Sequence, residues 1–330
     1  MTITVSTITA EQHLAFIQTL PSASFLQTPA WAKVKPDWRA ESIGWYDDQA
    51  LVGAGLVLYR QLPKLKRYLA YLPEGPQIDW SSTALDAWLA PMVEHLKGQG
   101  AFGVRMGPPV ITARWSAAQI KEGIADESVD SLTQLAPSTR NPVGAGVVAQ
   151  LSRLGWQPLD AVGGFAAGQP KYNFAIPLAD DEGQALSEDA VLKGMNQLWR
   201  RNIKKAAKLG VDVTQGGRED LAAFHDLYVL TAKRDHFTPR PASYFTTMYD
   251  ALRAEDPDRI RLYLARHEGD LVAATIWIRV GQHAWYSYGA SSTEKREVRG
   301  SNAIQWQMIR DALAAGAHVY DLRGITDTLK

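Results

Sequence analysis

The chain has 330 residues, 46% of them hydrophobic and 21% charged, with lysine plus arginine balancing aspartate plus glutamate at 35 each. That length suits two hydrophobic cores better than one, and the neutral balance excludes a protein that coats nucleic acid with its whole surface. Cysteine is absent, which removes disulfides, thiolate metal sites and cysteine nucleophiles together. In chain order, a first helix leads to a turn at Thr28-Pro29, and Arg39 to Tyr46 and Ala50 to Tyr59 read as a hairpin joined at Asp47-Asp48-Gln49. An amphipathic helix over Ala84 to Gln99 runs into a strand phrase from Gly100 to Gly107. A long small-residue connection, Thr112 to Gly146, carries one short helix and is followed by a helix over Val147 to Leu154. Lys171 to Leu178 opens the second half as a strand. A basic helix and a further helix then precede a second Thr-Pro turn at Thr238-Pro239. Arg261 to His267 and Leu271 to Val280 form a hairpin about Glu268-Gly269-Asp270, and His283 to Tyr288 extends it. A helix over Asn302 to Ala315 and a strand phrase from Gly316 to Gly324 complete the series.

One unit of helix, antiparallel meander, helix and strand therefore occurs twice. The matching prolines Pro29 and Pro239 are 210 residues apart and the matching glycines Gly100 and Gly316 are 216 apart. The expected fold class is α+β, with two tandem GNAT-like acyltransferase domains built on mixed, largely antiparallel sheets. The expected domains are residues 1–165 and 166–330.

Familiar chemistry is missing. There is no Gly-x-Ser-x-Gly elbow, His-Glu-x-x-His helix or Walker loop, and the seven histidines lack metal-ligand spacing, so no metal is expected. Gly144-Ala-Gly146-Val-Val-Ala149 fits a dinucleotide fingerprint in letters only, because it follows Asn-Pro instead of a strand. An acetyl-CoA-dependent GNAT needs a glycine-rich turn into the helix of the second half. Here that turn is Arg299-Gly-Ser-Asn-Ala-Ile304, in which Asn302 and Ile304 are expected to crowd a phosphate, so CoA is disfavoured.

Two charged features stand out. In the run Trp199 to Lys208, Arg200, Arg201, Lys204, Lys205 and Lys208 make most of one helical face cationic, with Ile203, Ala206 and Ala207 as a narrow apolar face. A solvated helix and a phosphate-binding surface both account for it. After each Thr-Pro turn, a cation lies near aromatic residues: Lys35 with Trp38, and Arg240 with Tyr244. Lys35 and Arg240 could hold an anionic group from two sides, or be ordinary surface cations.

In order along the chain, Gln27-Thr-Pro-Ala-Trp-Ala-Lys-Val-Lys35 with Trp38, Tyr71-Leu-Pro-Glu-Gly-Pro76, Arg201-Asn-Ile-Lys-Lys-Ala206, Arg240-Pro-Ala-Ser-Tyr244, Trp285-Tyr-Ser-Tyr-Gly-Ala290 and Tyr320-Asp-Leu-Arg-Gly-Ile325 together resemble the FemABX family. Its members are tRNA-dependent aminoacyltransferases that build peptidoglycan cross-bridges. The resemblance implies a muramyl-pentapeptide precursor as acceptor, its diphosphate held by Lys35 and Arg240 and its site lined by Trp38, Tyr244 and Tyr288. It also implies aminoacyl-tRNA as co-substrate, met by the helix around Arg201 to Lys208, and no other cofactor. The short, armless type is expected, since no 60-residue helical insertion is present. The expected location is cytoplasmic, with peripheral contact at the inner membrane face.

Three departures accompany the resemblance. Gly107 stands where relatives often carry an acid, so no general base is assigned, and Glu74 replaces a residue that is often basic. Relatives also continue past the Ile325 phrase into a Phe-Lys-containing strand and a tail, so a missing C-terminal strand is expected. Two other readings stay open: a GNAT-like CoA-dependent acyltransferase, and a non-catalytic precursor-binding protein.

Overall fold

A computed structural model describes residues 2–159 and 169–329. The chain divides into two compact units, one comprising Met1–Leu20, Leu26–Asn173 and Gly324–Lys330, the other Pro21–Phe25 and Phe174–Arg323. The expected boundary between residues 165 and 166 lies outside the described residues.

The first unit runs β1 (Ile3–Thr7), α1 (Ala10–Gln18), α2 (Trp31–Val34), β2 (Arg39–Asp47), β3 (Ala50–Gln61), β4 (Tyr68–Leu72), α3 (Leu85–Gly98) and β5 (Ala101–Met106). It continues through β6 (Ala113–Arg114), α4 (Ala117–Ala125), β7 (Thr139–Arg140) and α5 (Pro142–Arg153). The main sheet has the order β1-β2-β3-β4-β5, antiparallel except for the parallel pair β4–β5 that α3 connects. Alternation along the strands sends Ile43, Trp45, Val57, Tyr59, Ala70 and Leu72 to one face. There they meet the buried stripe Leu85, Trp88, Leu89, Met92 and Leu96 of α3. The Trp45 indole N–H donates to the Trp88 carbonyl at 2.8 Å, so even this large aromatic leaves no donor unpaired.

The second unit runs β8 (Tyr172–Pro177), α6 (Glu188–Gly194), α7 (Gln197–Lys208), β9 (Asp212–Gly216), α8 (Leu221–Asp235), α9 (Ala242–Glu255), β10 (Ile260–His267) and β11 (Asp270–Val280). Then come β12 (His283–Ser291), α10 (Gly300–Ala314) and β13 (Val319–Ile325). Its sheet order is β8-β13-β12-β11-β10-β9, with β12 and β13 parallel. Strands β9 to β13 thus repeat the order and directions of β1 to β5, and α10 takes the place of α3 over Tyr263, Trp277 and Tyr320. Even the irregularities recur. The β2–β3 hairpin shifts register between Trp45 and Tyr46, and β10–β11 between Ala265 and Arg266. Asp48 and Glu268, in the two turns, share φ 52°. The two units carry the tandem GNAT-like α+β architecture.

Several elements differ from expectation. Helix α5 begins at Pro142 instead of Val147, because Asn141 Oδ1 accepts the Val143 amide at 3.0 Å and Pro142 suits the first turn. The Gly144-Ala-Gly146 fingerprint therefore lies inside a helix, where Gly144 packs on the Ile111 backbone. Strand β8, opening the second half, pairs beside β13 at one edge of its sheet. Residues after β13 return to the first unit, with Leu132 N–H donating to the Asp327 carbonyl at 2.7 Å and Leu329 N–H to that of Asp130 at 2.9 Å. Among the described residues, no helix is long and apolar enough to cross a membrane.

Candidate functional site

In the first unit the segment bearing Lys35 and Trp38 is anchored by Gln27. β3 and β4 pair as far as Leu58 and Tyr71, and Ala54 meets Gln77, which leaves a gap beside Leu56. The fully buried Gln27 amide fills it. Its Oε1 accepts the Leu56 amide at 2.9 Å, and its Nε2 donates to the carbonyls of Pro73 at 2.7 Å and Leu56 at 3.3 Å. This side chain supplies the hydrogen bonds that a strand would otherwise make. Gly75 has no Cβ for the same reason: one built there would collide with Gln27.

Trp31 and Val34 then bury the short α2, and Lys35 follows at its end with Nζ 5.9 Å from the Trp31 ring centre. Trp38 lies 6.3 Å from the Tyr71 ring, the Arg60 guanidinium 5.8 Å from Trp38, and that of Arg105 5.6 Å from Tyr71. Tyr71 and Arg105 are register partners across β4 and β5, on the sheet face away from α3. Neither guanidinium forms a hydrogen bond or ion pair with a described residue, so the rings orient two forks without consuming their donors. Arg60, Tyr71 and Arg105 were not singled out as site residues by sequence, because the ladder forms only across paired strands. Gly107, the place of a possible acid, is backed by Gln169, which an added side chain would displace.

In the second unit Arg240 lies 5.3 Å from the Tyr244 ring centre, and the Tyr244 and Tyr288 hydroxyls are 2.9 Å apart. Tyr288 reaches this face through a bulge. Trp277 pairs with Tyr286, but Ile276 pairs with Tyr288, so the extra residue turns Tyr288 away from the α10 side that Trp277 and Tyr286 share. Phe245 supports it with ring centres 5.1 Å apart. Helix α8 is tied to the end of the same strand: Ser291 N–H donates to Thr231 Oγ1 at 3.0 Å, and Arg234 donates to the Ser291 carbonyl at 2.8 Å. Burial first, and the neighbouring Tyr288 second, push the Tyr244 phenol well above its ordinary pKa. The Tyr244 hydroxyl therefore stays a neutral donor at physiological pH. Arg240, Tyr244 and Tyr288 come together within this unit, while Lys35 and Trp38 belong to the first.

The basic helix is α7. Asn196 caps it by accepting the Trp199 amide at 2.9 Å, and Ile203 and Ala206 are buried where it packs on α10. Arg201, Lys204, Lys205 and Lys208 are exposed and Arg200 is half-buried, none paired with a described acid. Ala207, expected on the apolar face, is exposed instead, because only the 203/206 edge meets α10. At the start of α10, Arg299 has φ 65° and a cleft of about 180 Å³ is lined by Ser291, Lys295, Arg299 and Asn302 among others. The expectation that Ile304 crowds this turn is corrected: its side chain is fully buried in the core. Among the described residues, no group of three or more His, Asp or Glu side chains is placed to hold a metal ion.

The FemAB family model matches residues 8–269 and 264–330. A UDP-N-acetylmuramoylpentapeptide-lysine N(6)-alanyltransferase of Weissella viridescens is 28% identical over 318 residues, covering 96% of this chain and 84% of the relative. A lipid II:glycine glycyltransferase of Staphylococcus aureus (strain MRSA252) is 24% identical over 386 residues, covering 96% and 83%. The crystal structure of FemX superposes with a TM-score of 0.78 at 22% identity, covering 98% of this chain and 89% of that one. With both of its repeated units matched, the chain belongs to the FemAB family.

Proposed function

We propose that this protein transfers an amino acid from aminoacyl-tRNA to the side-chain amine of the stem peptide in a peptidoglycan precursor. The acceptor is either lipid-linked or UDP-linked, as the names of the two relatives imply for those proteins. Lys35 and Arg240 hold the precursor's diphosphate, Trp38, Tyr244 and Tyr288 line its site, and α7 meets the tRNA. The ester on charged tRNA is already activated. The neutral amine attacks its carbonyl, the carbon–oxygen bond to the ribose breaks, and the proton given up by the amine ends on the ribose hydroxyl. Such a reaction needs positioning and oxyanion stabilisation, not an acyl-enzyme. The observation that carries the reading is the Arg240–Tyr244–Tyr288 cluster in a chain of this family: a guanidinium beside a hydrogen-bonded pair of tyrosine hydroxyls suits a phosphate-bearing ligand.

The test is transfer of labelled amino acid from a charged tRNA pool to a muramyl-pentapeptide acceptor. Labelling that disappears on RNase treatment of the donor is expected; no labelling, with precursor binding intact, points to a non-catalytic binding protein. A second reading, a CoA-dependent acyltransferase, draws on the cationic cleft at the start of α10. Heat released on titrating acetyl-CoA would favour it.

A further inference from the structure

The β3–β4 hairpin ends in the tip Pro63-Lys64-Leu65-Lys66-Arg67, and its charge is one-sided. From Gln49 to Pro73 there is no Asp or Glu, while Arg60, Lys64, Lys66 and Arg67 are all cationic. The tip is also held in shape. Leu62 N–H donates to the Arg67 carbonyl at 2.9 Å, Leu65 N–H to the Leu62 carbonyl at 3.3 Å, and Gln61 Nε2 to the Leu65 carbonyl at 3.1 Å. Pro63 and Lys64 occupy the middle of the inner turn, with Lys64 at φ 65°. This arrangement points Leu65 outward, 57% exposed, between cations that form no ion pair with a described residue. An apolar side chain at the summit of a cationic turn gains nothing from water and nothing from a sugar–phosphate backbone. It suits a surface with anionic groups outside and hydrocarbon just beneath.

We propose that this hairpin tip is a membrane contact: Lys64, Lys66 and Arg67 engage anionic phospholipid headgroups while Leu65 dips between them. The same strand continues from the tip into the candidate acceptor site, since Arg60 stacks on Trp38. A lipid-linked acceptor would thus be met where the protein touches the bilayer. That last consequence rests on the aminoacyltransferase reading; the contact itself does not. With few cations and one apolar side chain, the binding is reversible and weakened by salt.

The experiment uses the full chain and sucrose-loaded vesicles of phosphatidylcholine, with or without about 30% phosphatidylglycerol, at low and high salt. The native protein should sediment with the anionic vesicles at low salt only. A Leu65→Ser/Lys66→Gln/Arg67→Gln variant should lose roughly 25-fold or more in partitioning, about fivefold for each charge removed. Its transfer to a lipid-linked acceptor in those vesicles should fall, while transfer to the soluble UDP-linked acceptor stays native. Native protein that ignores anionic vesicles, or a variant that binds them equally well, overturns the proposal. So does a variant that loses tRNA affinity and keeps vesicle binding, which would make the tip an RNA contact. Vesicle binding that depends on the tip, with no transfer by native protein to either acceptor, upholds the contact and refutes the aminoacyltransferase reading.

Discussion

Replacing Gln27 by leucine keeps nearly the same volume but removes the amide that bridges Leu56 and Pro73. Both backbone partners are buried, so in the variant the Leu56 N–H and the Pro73 carbonyl lose their bonds without gaining water. Each such group costs about 1–3 kcal/mol, and the pair together about 2–6 kcal/mol, a large share of the stability of an ordinary domain. Urea unfolding followed by tryptophan fluorescence reads the loss as a lowered midpoint. Hydrogen exchange reads its location, because the Leu56 amide should lose protection ahead of the β2–β3 pairs beside it. Since Gln27 directly precedes the turn that carries Lys35 and Trp38, precursor affinity should fall even where the variant remains folded. A change below about 1 kcal/mol, with the Leu56 amide still protected, would refute the view that this side chain replaces strand hydrogen bonds.

Other expectations follow from the same geometry. His13 is fully buried, its Nδ1 2.9 Å from Ser42 Oγ, and burial lowers its pKa from 6.5 to about 4. The unfolded chain takes up the proton first, so stability is complete above about pH 6.5 and is lost by up to about 3 kcal/mol as pH falls toward 4. His13→Asn should flatten that part of the pH–stability curve. Arg240→Ala and Lys35→Ala should each weaken precursor binding by about 1.5–3 kcal/mol in calorimetry while the thermal midpoint hardly moves; unchanged affinity in both removes the clamp. Neutralising Arg201, Lys204 and Lys205 should lower the salt dependence of tRNA binding by roughly 0.7–0.9 in log–log slope for each phosphate left without its cation, and an unchanged slope would move the RNA surface elsewhere.

The duplicated architecture was readable because its signals are local. Alternation in Arg39 to Tyr46 and Leu271 to Val280, and polar turns at Asp47-Asp48-Gln49 and Glu268-Gly269-Asp270, specify hairpins without reference to distant residues. The Asn141-Pro142 start of α5 was equally local and shows that a cap can outweigh a small-residue stretch. What could not be read depends on pairing. No pattern in the letters says that an extra residue in β12 turns Tyr288 to the face of Tyr244, or that Gln27 fills a gap between two strands. The ladder of Arg60, Trp38, Tyr71 and Arg105 likewise joins four stretches that only sheet register brings side by side. Glu41 is a similar case. Its burial opposes ionisation, but hydrogen bonds from Thr7, Tyr59 and His95 outweigh that and hold the carboxyl below its usual range. Its partners come from three other elements.

The exchange of short segments between the units bears on how the chain leaves the ribosome. Residues 21–25 emerge early yet complete the second unit, where the Pro21 carbonyl accepts the Gln282 amide at 2.9 Å and Phe25 packs edge-on against Trp285 at 5.3 Å. At bacterial-type rates of roughly 5–20 residues per second, about 13 s or more separate the synthesis of those partners. The first unit in turn waits for Asp327 before the Leu132 amide has its acceptor. Neither unit is therefore assembled from one continuous stretch of chain, and each gains a short segment made long before or long after the rest of it. A nick in residues 160–168 of the mature protein would leave both fragments short of a segment held by the other.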